Sequence, residues 1–163
     1  MARKPASKGG PPSEKRLKPE RPRDLLGRPL AWGAANQLVL EDFDGFTLEQ
    51  NHHLGLEHAR AGRWFPAHEA WETAWKQARG TSDAEFFKGL SQMGAGYVHL
   101  LRGNAHGAMT LLRRAAGRVS DFPDGHRGVK TKALGERLKA DASSVESGDL
   151  VPGKDARFRP PEL

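Results

Sequence analysis

The sequence predicts an all-α protein: a compact bundle of about four to five helices with short loops, preceded by a disordered basic N-terminal tail. Three observations predict it. From position 47 onward apolar residues recur at helical spacing, and strand signals are scarce. Cap and stop residues punctuate that stretch at helix-length intervals. The charge excess sits at one end. Residues 1–30 hold nine cations and three acids and the remainder seventeen of each, so the chain's net +6 belongs to its beginning.

The first 28 residues form the expected tail. Residues 1–30 also hold six of the eleven prolines, with too few apolar side chains to bury a core. A basic arm of this kind suits nucleic acid or an acidic partner, but no aromatic residues are interleaved for base stacking, which favours a solvated tail. Residues 29–46 read as an irregular lead-in, with Leu38-Val39-Leu40 as a short packed segment and Trp32 as an anchor against the core.

The helical domain spans 47–145. Thr47-Leu48-Glu49-Gln50 is a capping box, and the helix it opens should run to about Ala61, with Gly62 as its stop. The second helix starts near Phe65, with Pro66 in the first turn, where a missing N–H costs nothing. It stops near Gly80. Ser82-Asp83-Ala84-Glu85 reads as another capping box, opening a third helix that ends at Gly103. Asn104 is a good N-cap for the fourth, whose Ala108, Leu112, Ala115 and Val119 lie in one stripe. After a turn at 121–125, a fifth helix over about 128–145 carries Leu134, Leu138 and Val145 along one side. Residues 146–163, with three prolines, should be irregular, and Phe158 should pack back onto the domain.

The composition excludes several classes. Without cysteine there is no disulfide framework, thiolate metal site or thiol nucleophile. No apolar run approaches the ~20 residues of a bilayer span, and residues 1–30 lack an apolar signal core, so a cytoplasmic protein with no membrane partner is expected. The phosphate-loop pattern GxxxxGK[ST] does not occur, and Ser82 reads as a cap rather than a nucleophile. No complete catalytic signature is present, which tilts the expectation away from an enzyme.

The second helix carries the chemistry. At 100° per residue Trp64, His68, Trp71, Glu72 and Trp75 fall in one stripe, with Glu69 on its flank. An imidazole and a carboxylate inside an indole face need partners, because unpaired burial costs several kcal/mol. On the third helix Phe86, Leu90, Met93, Tyr97, Leu100 and Leu101 form the main apolar face. Gly89 and Gly96 form a seam beside it, with Lys88, Gln92 and His99 alongside. If this side meets the second helix, His68, Glu72, Gln92 and His99 converge in a polar pocket. If it meets water, they are a solvated face.

Three functions compete for these residues. The first is a binding site for a small ligand or protein partner, lined by His68, Glu69, Trp71, Glu72, Trp75, Gln92 and His99. The second is a metal-dependent hydrolase, with His68, Glu72 and His99 as ligands of a divalent metal and Glu69 as general base. The third is a structural network in which His68 and Glu72 pair at i, i+4. Against the second, the zinc signature His-Glu-x-x-His fails, because position 72 is Glu. His52, His53 and His58 read as surface or packing residues, and His106 as solvated.

Residues 55–116 resemble the bacterial and archaeal domain of unknown function 309 family. The resemblance rests on Trp64-Phe65-Pro66-Ala67-His68-Glu69-Ala70-Trp71-Glu72-Thr73-Ala74-Trp75, similar to the family's aromatic followed by Ala-His-Glu-x-Trp-Glu-x-x-Trp. It continues through Gly89-Leu90-Ser91-Gln92 and His99-Leu100-Leu101-Arg102-Gly103-Asn104 to Gly107-Ala108. The resemblance implies a small all-helical fold and no established activity, although members are sometimes labelled predicted metal-dependent hydrolases. Lys88 departs from the Gln often found there, and a cation facing the pocket would repel a divalent metal.

Overall fold

A computed structural model describes residues 19–163. Five helices follow in chain order: α1 (Leu48–Arg60), α2 (Trp64–Gln77), α3 (Ala84–Leu101), α4 (Ala105–Ser120) and α5 (Thr131–Ser147). Short 3₁₀ turns at Phe43–Gly45 and His126–Gly128 precede α1 and α5. Among the described residues extended pairing is limited to one antiparallel bridge, Arg23 with Pro29. Each helix packs mainly on the next, α1 on α2 through to α4 on α5, as short connections demand.

The local signals explain most boundaries. Thr47 and Gln50 form the reciprocal capping box, Gly62 takes φ +72° beyond α1, and the Asn104 side chain accepts from the Gly107 N–H at 3.0 Å. The box expected at Ser82–Glu85 does not form. The N-cap is Asp83, without a side-chain cap bond, because its carboxylate is taken from across the fold. His126 donates to Oδ1 at 2.8 Å and Arg127 to Oδ2 at 2.6 Å. Arg127 itself sits in the left-handed region at φ 48°, uncommon for a residue with a side chain. Its guanidinium is fixed by Asp83 and by the Phe87 ring face, 5.1 Å from the centroid.

The core follows the predicted face of α3. Phe86, Leu90, Met93, Tyr97 and Leu100 are fully buried, each burial contributing about 1.5–3 kcal/mol. Tyr97 stacks against both Trp64 at 4.3 Å and Phe158 at 5.0 Å, so the C-terminal segment does pack back. Its hydroxyl donates to Asp141 on α5 at 2.6 Å. Trp32, expected as an anchor, is 64% exposed, with the Arg21 guanidinium 6.0 Å from its ring centroid. A single indole in a loop of small residues has no apolar wall to join.

The tail expected over 1–28 lies outside the described residues as far as position 18. Residues 19–28 depart from that expectation where they are described. The Asp24 carboxylate accepts from the Leu26 and Arg28 N–H groups and from Arg28 Nε. The Leu26 carbonyl accepts from Arg102, the residue that caps the C-terminus of α3.

Candidate functional site

His68 lies on the part of α2 that approaches α3 most closely. A β-carbon at Gly94 would fall 2.9 Å from the His68 Cα and N. The absent side chain therefore lets the two backbones meet. The contact puts the imidazole over Ser91, where Nδ1 lies 2.9 Å from the Ser91 carbonyl and 3.1 Å from its hydroxyl. A carbonyl only accepts, so Nδ1 carries the proton and donates. Nε2 is left facing two carboxylates, at 3.8 Å from Glu69 Oε1 and 3.6 Å from Glu72 Oε2. All three side chains are half-buried, and one ligand atom from each lies within 4.8 Å of the others.

Those separations bear on what the cluster can hold. Hydrogen bonds to imidazole nitrogen span about 2.7–3.2 Å, so Nε2 makes none to either carboxylate. Two donors about 2.0–2.1 Å from one tetrahedral metal ion stand roughly 3.4 Å apart. The donor chemistry, one imidazole and two carboxylates, fits a divalent ion once the side chains draw inward around it. The cations sit aside. Lys76 Nζ is 3.5 Å from the other Glu72 oxygen. Lys88 Nζ lies 5.3 Å from the Trp75 ring centroid and within 4 Å of no carboxylate among the described residues.

The other expected site residues separate. The Gly89 and Gly96 seam meets α4, at Val119 and Leu112, rather than α2. Gln92 is drawn the same way and accepts from Arg118 at 3.2 Å. His99 Nδ1 pairs with the Asn104 side chain at 2.9 Å. Burial, then the Arg102 and His68 charges, hold its pKa below the usual histidine value. It is not among the three clustered donors. Trp71 is fully buried and cannot touch a ligand from solvent, whereas Trp75 is half-buried at the rim.

Other polar groups do structural work. Trp71 Nε1–H donates to His52 Nδ1 at 3.1 Å, so Nε2–H of His52 donates to the Arg127 carbonyl at 3.0 Å. Both nitrogens are spent in a neutral ring, and burial lowers its pKa against the opposing bond to the Arg127 carbonyl. His58 is similarly buried, accepting from Arg63 Nε at 2.9 Å and donating to Glu41 at 2.8 Å. His53 and His106 are exposed. The sequence reading missed Ser91 and Gly94 as the groups that orient His68. Their one signal is the spacing of three, which puts both on the same side of α3.

Two clefts flank α2. One of about 780 Å³ is lined by Arg21, Arg23, Asn36, Leu40, Phe65 and Glu69 among others, so it opens beside the donor cluster. The second, about 770 Å³, lies between the N-terminal loop, the start of α2 and the end of α3. Among the described residues no helix is long and apolar enough to cross a membrane. Residues 53–111 match the family model of a domain of unknown function (DUF309). No curated protein and no solved structure matches the chain significantly.

Proposed function

Residues 53–111 form a DUF309 domain, and we propose that this domain is a binding module for a divalent metal ion, held by His68, Glu69 and Glu72. One observation carries the proposal: His68 Nε2 stands 3.6–3.8 Å from two carboxylates. That is too far for hydrogen bonds and close to the spacing of donors on a common ion. The bond from Nδ1–H to the Ser91 carbonyl is the partner that metal-bound imidazoles ordinarily have. Two neighbouring carboxylates repel one another, and Lys76 reaches only Glu72. A divalent cation relieves that repulsion.

Titration of the untagged full chain with Zn²⁺ or Mn²⁺ tests this. One saturable site is expected, weakened at least about tenfold in Glu72→Gln, since loss of even an outer partner of a metal ligand costs 10–100-fold. No saturable binding, or binding equal in wild type and Glu72→Gln, refutes the proposal.

The cleft beside Glu69 favours a second function, metal-dependent hydrolysis. Three protein donors or fewer leave a position for water, whose pKa a bound ion lowers. Glu69, which borders the cleft, then serves as proton acceptor rather than ligand. Chelator-sensitive ester or phosphate-ester hydrolysis that is lost in Glu69→Gln, with metal affinity retained, would establish it. Metal binding without turnover leaves the binding module.

A further inference from the structure

We propose that the 770 Å³ cleft at the start of α2 is a second site, for an amphipathic organic anion: a carboxylate on a linear apolar chain. The cleft contains none of the three donor residues. Its volume falls within the roughly 300–1,000 Å³ of small-molecule sites. Leu26, Leu38, Trp64 and Leu101 line its interior. At the mouth Leu25 is 67% exposed and Val39 85% exposed. Two large apolar side chains left in water beside an apolar hollow are what a hydrocarbon chain would cover.

The charge of the rim selects the head group. Asp24 also lines the cleft, but its carboxylate is neutralised by Arg28 at 2.7 Å. Arg63 and Lys154 remain, and neither has a carboxylate within 4 Å among the described residues. Arg63 spends Nε on His58, and its two terminal nitrogens have no hydrogen-bond partner among the described residues. The first turn of α2, which enters the cleft at Trp64 and Pro66, has neither a capping side chain nor an acid. Its field adds to that of the two cations. The chain's own residues 1–18 are a poor occupant, since they carry six cations against one acid.

Decanoate, followed by isothermal titration and by Trp fluorescence of the full chain, is the probe, with decyltrimethylammonium as the control of like chain and opposite charge. Saturable decanoate binding is expected. Decyltrimethylammonium should bind at least about tenfold more weakly, and the Arg63→Gln/Lys154→Gln pair should lose at least about tenfold for decanoate, the scale of a lost charge-assisted contact. Val39→Asp, an exposed position where folding is undisturbed, should weaken decanoate comparably by placing a carboxylate at the mouth. Equal binding of both detergents, unchanged decanoate affinity in the charge variants, or no binding would overturn the proposal. So would self-association of the wild type that Val39→Asp abolishes, because a second copy would then be the occupant.

Discussion

Gly94→Ala is the substitution whose effect follows most directly from the packing of α2 on α3. The added methyl would stand 2.9 Å from the His68 Cα and N and 3.0 Å from its Cβ. Carbon atoms pack at about 3.5–4.0 Å, so one backbone must move by roughly half an ångström or more. The obstructing atoms are main chain and cannot rotate away. Overpacking of this kind costs about 1–3 kcal/mol, and the better helix propensity of alanine returns up to ~1 kcal/mol. Contacts of 2.9 Å against main chain put the cost in the upper part of that range, so the expected net loss is about 1–2 kcal/mol. Gly117 is the internal control. It sits in α4, and a β-carbon added there would meet nothing within 4 Å, so Gly117→Ala should stabilise by about 0.5–1 kcal/mol. Urea denaturation followed by circular dichroism reads both. Opposite signs support the close approach of α2 and α3. A Gly94→Ala protein as stable as wild type would refute it, and with it the placement of His68 over Ser91.

Other expectations follow from single contacts. His52 is held neutral with its pKa lowered, so the unfolded chain binds the proton more readily. Its stabilising contribution is complete above the unfolded value of about 6.5 and is lost as pH falls through that range toward the folded value. The fall in melting temperature between pH 7 and 5 should therefore be shallower in His52→Gln. Tyr97→Phe removes the hydroxyl bonded to Asp141, leaving Arg137 as that carboxylate's side-chain partner. A loss of about 1–3 kcal/mol is expected in chemical denaturation. Deletion of 1–18 should leave the melting temperature unchanged, whereas deletion of 1–28 removes the carbonyl that Arg102 reaches and should lower it by a few degrees.

How much of this was legible in the sequence depends on whether a signal was local. The Thr47–Gln50 box and the Asn104 cap are contained within four residues, and both form. Ser82–Glu85 has the same pattern but fails: the helix starts one residue later, and the Glu85 carboxylate accepts from Arg118 on α4 instead. Periodicity placed Phe86, Leu90, Met93 and Tyr97 inside, but it cannot say which neighbour a flank meets. The Gly89–Gly96 seam faces α4. That rotation sends Gln92 to Arg118, and His99 pairs with Asn104 instead of joining the His68 cluster. Glu69, one position from His68 and placed on the flank, reaches Nε2 because a long side chain spans the angle between them.

The central claim is that His68, Glu69 and Glu72 share one divalent ion. Crystals of the full chain grown with Mn²⁺ and measured at an anomalous wavelength test it at the atoms concerned. The account predicts one anomalous peak about 2.0–2.3 Å from His68 Nε2 and from oxygens of Glu72 and Glu69, with Nδ1 still on the Ser91 carbonyl. Peaks confined to other surface carboxylates, with Nε2 facing Glu69 and Glu72 as before, would contradict it.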